Sequence, residues 1–453
     1  MANFPPTDTL ALRGAALTFV DDPFQVGTKA AMRYESDAIV AMAGGKITHF
    51  GPAAAVQGQL PPGTKVRVCG KDTLITPGFI DSHVHFPQTP MIAAFGEQLL
   101  HWLDKYTFPT ELKYSDKAFA QEVAKVFLRE NLRNGITTAC VYATVFPQSV
   151  DALFEEAEKL RMRLATGKVL MNRNAPVGLL DTTQSGYDDS KALIRKWHGR
   201  GRLMYAITPR FAPTSTGDQL EAAGALWKEH PDCFMQAHLS ENKGEIAWVQ
   251  ELFPERAGYL DVYDHHALCG RRAVFGHCVH LTEAELQRMH VTGSAIAHCP
   301  TSNFFLGSGY LDLFRAVHPD RAVRVGLGTD LGAGTSFSVL ATLNEAYKAA
   351  QLNGKALSAP HAFYLATRGT ARALYLEDKI GSLAPGMEAD VLVLDLKSTP
   401  IIEYRMRYCH DFEEALFIQM TMGDDRAVQE TYIDGQLAYR RPEQRYGWSP
   451  FES

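Results

Sequence analysis

Short apolar segments alternate with helical segments along the chain from residue 75 to residue 383. Strands connected by helices in this way pair in parallel and are covered on both faces, so they are rich in apolar residues. About eight such units over about 300 residues predict a (β/α)₈ barrel of the TIM type. The strand candidates cover residues 75–81, 137–142, 167–171, 203–207, 234–237, 273–276, 294–297 and 323–328, and the main helix candidates cover residues 118–131, 150–161, 219–229, 283–290 and 337–351.

Both ends of the chain are predicted to form strands instead. The strand segments are residues 10–20, 38–50, 389–396, 426–433 and 436–439, the last two joined by an Asp-Gly pair that is typical of a hairpin. Each end is too short for a stable domain, so we expect the two ends to pair into one small β-sandwich. The predicted α/β architecture places the N-terminal part of the sandwich at residues 1–74, the barrel at 75–383 and the C-terminal part of the sandwich at 384–453.

Composition excludes several classes of protein. With 46% hydrophobic and 21% charged residues, the 453-residue chain is neither disordered nor fibrous. The net charge of −6, with scattered Lys and Arg, gives no support for a nucleic-acid partner. Seven cysteines without a CxxC pair indicate free thiols in a reducing compartment. The first twenty residues do not resemble a signal peptide, and we expect a cytoplasmic protein without a membrane segment.

Ligand-type residues recur where predicted barrel strands end. His83 and His85 follow the first strand and share one face, because side chains at i and i+2 of a strand point the same way. His238, His277 and Asp330 come at the ends of three later strands. The carboxyl ends of barrel strands meet at one mouth, where barrel enzymes carry their chemistry. Imidazole and carboxylate groups gathered there predict a shared site for Zn²⁺ or Fe²⁺.

Glu241 lies three residues after His238, in the loop beyond the strand. A carboxylic acid there could carry protons between water and a substrate. The alternative is a simple first-turn acid of the next helix, but the predicted metal site favours the catalytic interpretation. His298 ends another strand, and the sequence leaves open whether it reaches the pocket. His280 lies on the loop after His277, and we expect the remaining histidines to be surface or core residues.

Two segments resemble the motifs that open and close the barrel in the amidohydrolase superfamily. They run from Pro77 to His85 and from Pro385 to Asp390. Within that superfamily the chain is most similar to the guanine deaminase family, and the resemblance spans about residues 10 to 440. Further matching segments are residues 85–88, 102–109, 208–211, 238–242, 297–300 and 328–330.

The resemblance implies a metal-dependent hydrolase that converts guanine and water to xanthine and ammonia. It implies one zinc ion per subunit, for which iron(II) is an alternative, and a homodimer. The implied metal ligands are His83, His85, His238 and Asp330. His277 would orient the attacking water, with its status as a direct ligand left open, and Glu241 and Asp330 would carry protons. The implied substrate-binding residues are Gln88, Arg210, Phe211, His238 and Glu241.

Two competing interpretations differ in what they require. Another deaminase or a chlorohydrolase on this scaffold, acting on a cytosine, triazine or adenosine-type substrate, would keep the metal ligands. It would change the segments around Gln88 and Arg210, which here resemble the guanine type. A non-catalytic scaffold protein would be expected to have lost ligands, and every ligand position is filled by a residue able to bind metal.

Overall fold

The computed structural model describes residues 9–442, so residues 1–8 and 443–453 of the predicted terminal domain lie outside it. Eight parallel strands form the predicted barrel, which is thereby confirmed. Its first and last strands are joined at the mouth, where the Asp330 N–H donates to the His83 carbonyl oxygen at 2.9 Å. The strands are Phe79–His85, Ile136–Tyr142, Arg163–Gly167, Leu203–Pro209, Phe234–Leu239, Ala273–His277, Ala295–His298 and Arg324–Leu327, with Val169–Leu170 adding a short pairing to Leu203–Pro209.

Helices cover the outside of the barrel, and small and apolar side chains fill its interior. The interior residues include Ile80, Phe234 and Val274, all essentially inaccessible to solvent. Between residues 9 and 442, no helix has the length and apolar character needed to cross a bilayer. The main helices are Lys117–Arg133, Pro147–Lys159, Thr183–Trp197, Gly217–Glu229, Lys243–Leu252, Tyr259–His265, Glu283–Thr292, Pro300–Phe305, Val339–Leu352, Ala359–Tyr364, Pro400–Met406 and Phe412–Met422.

Shorter helical turns connect these elements. Residues 99–115, just before the helix Lys117–Arg133, form a continuous run of helical turns that contributes to the barrel mouth. The short α-helices are Pro23–Val26, Thr28–Ala31, Ala53–Val56, Leu99–Trp102, Phe108–Glu111, Leu313–Ala316 and Thr370–Ala373. The π-helical turns are Leu103–Thr107 and Leu365–Gly369, and the 3₁₀ turns are Gln57–Gln59, Phe86–Met91, Leu112–Ser115, Val177–Leu179, Ala212–Thr214, Pro319–Arg321 and Asp425–Ala427.

The predicted strand at residues 75–81 is wrong as a single unit. Thr73–Pro77 pairs with a C-terminal strand, whereas Phe79–His85 pairs with the second barrel strand. Gly78 separates them, and a Cβ atom at this position would lie 2.1 Å from Thr137 Oγ1. The terminal sheet and the barrel approach each other so closely that glycine is required at position 78, where the chain passes from one to the other. The two histidines consequently lie within the barrel strand instead of after it.

The predicted strand at residues 167–171 is also displaced. The barrel strand is Arg163–Gly167, and only Val169–Leu170 pairs beyond it. Arg163 is buried at the beginning of this strand because Glu388 binds its guanidinium group. The sequence around Arg163 does not indicate that this residue is buried, because its partner Glu388 lies 225 positions away.

The strands from both termini form one continuous sheet, as the composite small domain requires. Side chains from both ends of the chain share one core, whose cluster contains Val40, Ile47, Val391 and Val393. The predicted composite origin of the small domain is confirmed. Its strands are Leu10–Phe19, Met32–Ala43, Lys46–Pro52, Lys65–Val68, Thr73–Pro77, Val391–Asp395, Val428–Ile433 and Gln436–Arg440.

Candidate active site at the barrel mouth

Four histidines and an aspartate from four strand ends meet at the barrel mouth. His85 Nε2 lies 3.1 Å from His238 Nε2, and Asp330 Oδ1 lies 3.4 Å from His83 Nε2 and 3.5 Å from His85 Nε2. His277 Nε2 is 3.8 Å from Asp330 Oδ2. Tetrahedral donors about 2.1 Å from a zinc ion would lie about 3.4 Å from one another. The spacing of these side chains therefore fits a single divalent cation.

Neighbouring groups orient two of the imidazole rings toward that centre. His238 Nδ1 lies 2.7 Å from the backbone oxygen of Arg210, and His277 Nδ1 lies 2.8 Å from Asn303 Oδ1. Both acceptors require a proton on Nδ1, which leaves the Nε2 lone pair facing inward. Burial keeps the pKa of His83, His85 and His238 well below the ordinary value of 6.5, so the rings are neutral. Neutral imidazoles with converging lone pairs are suited to binding a metal ion.

The backbone at the strand ends holds these side chains in uncommon conformations. His277 and Asp330 have positive φ angles of 69° and 48°. Such conformations cost energy for residues with a Cβ atom and cluster at functional sites. Asp81 supports the same region by accepting hydrogen bonds from the backbone N–H groups of His83 and Thr329, each at 3.1 Å. Asp81 was not among the residues predicted from the sequence.

Glu241 lies beside the metal-binding cluster, and its side chain accepts a hydrogen bond from Ser308. Its Oε1 atom accepts from Ser308 Oγ at 2.9 Å, and its Oε2 atom lies 3.3 Å from His277 Nε2. Burial, reinforced by the nearby Asp330 carboxylate, raises the pKa of Glu241 to about 8. Burial also raises the pKa of Asp330 to about 6, although His277 opposes this increase. In the absence of a bound cation, these shifts favour a protonated Glu241 next to an ionised Asp330 near neutral pH.

Glu245 is a second buried glutamate at the mouth, and it was not among the residues predicted from the sequence. Its Oε2 atom accepts from the backbone N–H groups of Glu241 and Asn242 at 2.9 and 3.2 Å. Its Oε1 atom accepts from the Tyr259 hydroxyl at 2.7 Å. The Asn242-x-x-Glu245 spacing is a capping box for the helix Lys243–Leu252, and that spacing was the available signal.

A pocket opens directly over the metal-binding cluster. Gln88 lines one side, and the loop opposite approaches so closely that a Cβ atom at Gly332 would lie 1.9 Å from Gln88 Oε1. This oxygen is buried and has no hydrogen-bond partner among residues 9–442, so it is available to a ligand. The other pocket residues are His85, Leu99, Trp102, Leu103, Arg210, Phe211, His238, Glu241, Glu245, His277, Leu306, Asp330 and Ala333.

Arg210 forms a buried ion pair with Glu111, a residue not predicted from the sequence to belong to the site. Its Nη1 atom donates to both carboxylate oxygens of Glu111, at 2.8 and 2.9 Å, and both side chains are almost fully buried. Burial raises the pKa of Glu111, and Arg210 opposes that increase. Glu111 lies in the sequence far from any ligand motif, so only the folded chain reveals the pair.

His298 and His280 are not among the pocket-lining residues. His298 is buried at the end of its strand, and neither ring nitrogen has a hydrogen-bond partner within the described part of the chain. His280 Nε2 lies 2.9 Å from the carbonyl oxygen of Ser308, the residue whose hydroxyl donates to Glu241. All nine residues predicted for the site are thus gathered at one mouth, and these two histidines lie around it.

A barrel with this cluster and pocket has the architecture and donor set of a metal-dependent hydrolase. A family model described as "Amidohydrolase family" matches residues 74–438. Guanine deaminase of Escherichia coli (strain K12) is 50% identical over 434 residues, which cover 95% of this chain and 98% of that protein. A probable guanine deaminase of Deinococcus radiodurans is 36% identical, covering 96% of this chain and 97% of that protein.

Solved structures agree with these sequence relationships. The E. coli guanine deaminase structure superposes with a TM-score of 0.93 at 49% identity, covering 95% of this chain and all of the other. A guanine deaminase from C. acetobutylicum with guanine bound in its active site has a TM-score of 0.84 at 27% identity, with 95% and 100% coverage. The chain belongs to the amidohydrolase family, and within it to the guanine deaminases.

Proposed function

We propose that this protein hydrolyses guanine to xanthine and ammonia, using one divalent cation that we propose to be zinc. The observation that carries the proposal is the 50% identity to E. coli guanine deaminase over nearly the full length of both chains. The pocket supports it independently, because polar and aromatic side chains surround a cluster of metal donors in one cavity.

His83, His85, His238 and Asp330 would hold the cation, and iron(II) suits the same ligands. A cation bound there would acidify water and so supply hydroxide near neutral pH. The inward-facing Nε2 atoms and the buried Asp330 carboxylate support this assignment. His277 would orient the attacking water, since its Nε2 atom lies between the carboxylates of Glu241 and Asp330.

Glu241 and Asp330 divide the proton transfers. Asp330 would accept a proton as the oxygen of water attacks C2 of guanine, the carbon that bears the exocyclic amine. Glu241 would donate its proton to the adjacent ring nitrogen, and burial, which raises the pKa of this carboxyl group, favours the protonated form that the step requires. Return of a proton to the exocyclic nitrogen releases ammonia and leaves a carbonyl at C2, so water and guanine become xanthine and ammonia without a redox step.

Gln88, Arg210 and Phe211 would recognise the purine. The free Gln88 oxygen can accept a hydrogen bond from a ring N–H, and Arg210 can donate to the guanine carbonyl oxygen. Phe211 can pack against the ring, since it borders both the pocket and the His238 side of the cluster. A base that leaves these buried polar groups unpaired would bind poorly.

The direct test is a spectrophotometric assay of zinc-replete protein with guanine, in which xanthine formation is followed in the ultraviolet. We expect turnover of guanine and little ammonia release from cytosine, adenosine or a triazine. Preferential turnover of one of those compounds would replace the proposal with the corresponding hydrolase. A metal-replete protein with no turnover of any of them would instead favour the scaffold interpretation.

Two further expectations stay predictions. The homodimer implied by the family resemblance is testable by light scattering coupled to size-exclusion chromatography. A cytoplasmic location is supported by the seven cysteines, which are all free thiols and mostly buried.

A further inference from the structure

Arg210 enters the pocket with part of its hydrogen-bonding capacity already used. Its Nη1 atom is bound by both oxygens of Glu111, whereas its Nε and Nη2 groups form no hydrogen bond with the described residues. Only 2% of the surface of Arg210 is accessible to solvent, and none of the surface of Glu111 is. The Glu111 carboxylate therefore balances the charge of the guanidinium group through Nη1, and the Nε and Nη2 groups are left as donors for a ligand.

Glu111 is held in place by the wall of the pocket. It ends the short helix Phe108–Glu111, which continues directly from the turn Leu103–Thr107, and Leu103 itself lines the pocket. The Phe108 ring lies 5.6 Å from the guanidinium carbon of Arg210. The helical segment that lines the pocket at Leu103 thus also carries the Glu111 carboxylate, which balances the charge of Arg210.

We propose that Glu111 neutralises and positions Arg210 so that the pocket prefers neutral purines, such as guanine, over anionic purines. This inference rests on the proposed function, because it concerns discrimination between the substrate and its product. Xanthine has ring N–H groups at N1 and N3 next to carbonyls and ionises readily in mildly alkaline solution, whereas guanine stays neutral there. Glu111 is assigned here as a positioning residue, since it does not line the cavity.

The physical reason is the strength of charge-assisted hydrogen bonds. An Arg210 side chain without its carboxylate would present an uncompensated cation in a buried site, where interactions between charges are much stronger than in water. An ionised xanthine would supply the missing negative charge. The product would then bind more tightly and leave the site more slowly, so Glu111 favours product release.

The experiment compares the binding of xanthine and hypoxanthine to zinc-replete protein by calorimetry in one mildly alkaline buffer. Hypoxanthine is the neutral control for any general change in the pocket. For Glu111→Gln we expect xanthine affinity, relative to hypoxanthine, to increase by about 10- to 100-fold over the wild type. Glu158→Gln removes an exposed partner of Arg200 and should leave this ratio unchanged.

Glu111→Asp keeps the charge but withdraws it from Arg210, so it should shift the ratio in the same direction by a smaller factor. This variant also tests the inference if Glu111→Gln fails to fold. An unchanged ratio in a folded, metal-replete Glu111 variant whose wild type converts guanine overturns the inference alone. A wild type that binds neither purine and does not convert guanine overturns the proposed function.

Discussion

Glu245 accepts a hydrogen bond from the backbone N–H of Glu241 at 2.9 Å, so one buried carboxylate fixes the backbone that carries the other. The opposite oxygen of Glu245 is held by the Tyr259 hydroxyl at 2.7 Å. Ser240, just before this loop, has a positive φ of 49°. The position of the proposed proton donor thus depends on a glutamate that belongs to the following helix.

Replacing Glu245 by Ala is expected to lower kcat for guanine by about 10- to 100-fold, because loss of orientation at a proton-transferring group is costly. Tyr259→Phe keeps the Glu245 carboxylate but removes the hydroxyl that donates to it, and should lower kcat by a smaller factor. Steady-state kinetics and bound zinc should be measured together, and we expect the zinc content to remain at the wild-type level.

Glu285 provides a matched control for that experiment, because it forms the same capping box with Thr282 at the helix Glu283–Thr292. Glu285→Ala should reduce stability by about 1 kcal/mol while leaving kcat nearly unchanged. Equal losses of kcat in the Glu245 and Glu285 variants would mean that helix capping, and not the position of Glu241, accounts for the effect.

Glu241→Gln should reduce kcat by about 10²- to 10⁴-fold, since the amide cannot exchange a proton in the required way. The side chain lies beside the proposed ligands and is not one of them, so zinc content should not change. Ser308→Ala removes the hydrogen bond to Glu241 Oε1 and should have a milder effect. A loss of activity below about tenfold in a zinc-replete Glu241→Gln protein would contradict the proposed proton transfer.

Removal of the metal by a chelator should abolish guanine turnover and lower the melting temperature. Without a cation, His85 Nε2 and His238 Nε2 lie 3.1 Å apart in a buried site, where a hydrogen bond between the two rings is a weaker link than a shared metal ion. Ligands that bind only the folded state stabilise it by RT ln(1 + c/Kd) at free-ligand concentration c, so a tightly bound ion raises the melting temperature. Added zinc should restore both properties, as followed by differential scanning fluorimetry and the xanthine assay. An unchanged melting temperature after complete metal removal would argue against this donor cluster as a tight site.

The sequence predicted the parts of the molecule that have a local signal. Apolar strands of regular length indicated the barrel, and the ligand types at the strand ends indicated the cluster of His83, His238 and Asp330. Partners joined only by the fold carried no such signal. Glu111 lies 99 positions from Arg210, and Asp81 supports a loop 248 positions away. Such pairs depend on the register of strands that the sequence pattern locates only approximately.

The strand at residues 75–81 shows a second limit. It has no charged residue before Asp81 to mark the change from one sheet to the other, although half of it pairs in the terminal sheet and half in the barrel. Gly78 was the available sign, but a glycine required by close packing looks the same as a turn glycine in the sequence. Burial of both halves is what makes the apolar run continuous.

The motif that resembles the closing segment of the family has a structural role. Glu388 receives hydrogen bonds from Arg163 and pairs with Arg202, whose Nη1 atom also donates to Asp390 Oδ1 at 2.9 Å. These contacts attach the terminal sheet to the base of the barrel. Glu388→Gln should lower the free energy of unfolding by about 3 kcal/mol, because it leaves a buried arginine without its full counter-charge. Urea denaturation would measure this loss.

The ion pairs of Glu388 with Arg163 and Arg202 predict how the free energy of unfolding depends on pH. Burial alone would raise the pKa of Glu388, but Arg202 and Arg163 outweigh it and hold the pKa below the ordinary value of 4.5. A carboxylate with a lowered pKa in the folded state stabilises the protein above its unfolded pKa. That contribution is lost as the pH falls through the folded value. The difference in stability between wild type and Glu388→Gln should therefore be constant near neutral pH and decrease below about pH 4.5. A difference that stays constant throughout acid titration would show that the Glu388 charge does not contribute to the attachment.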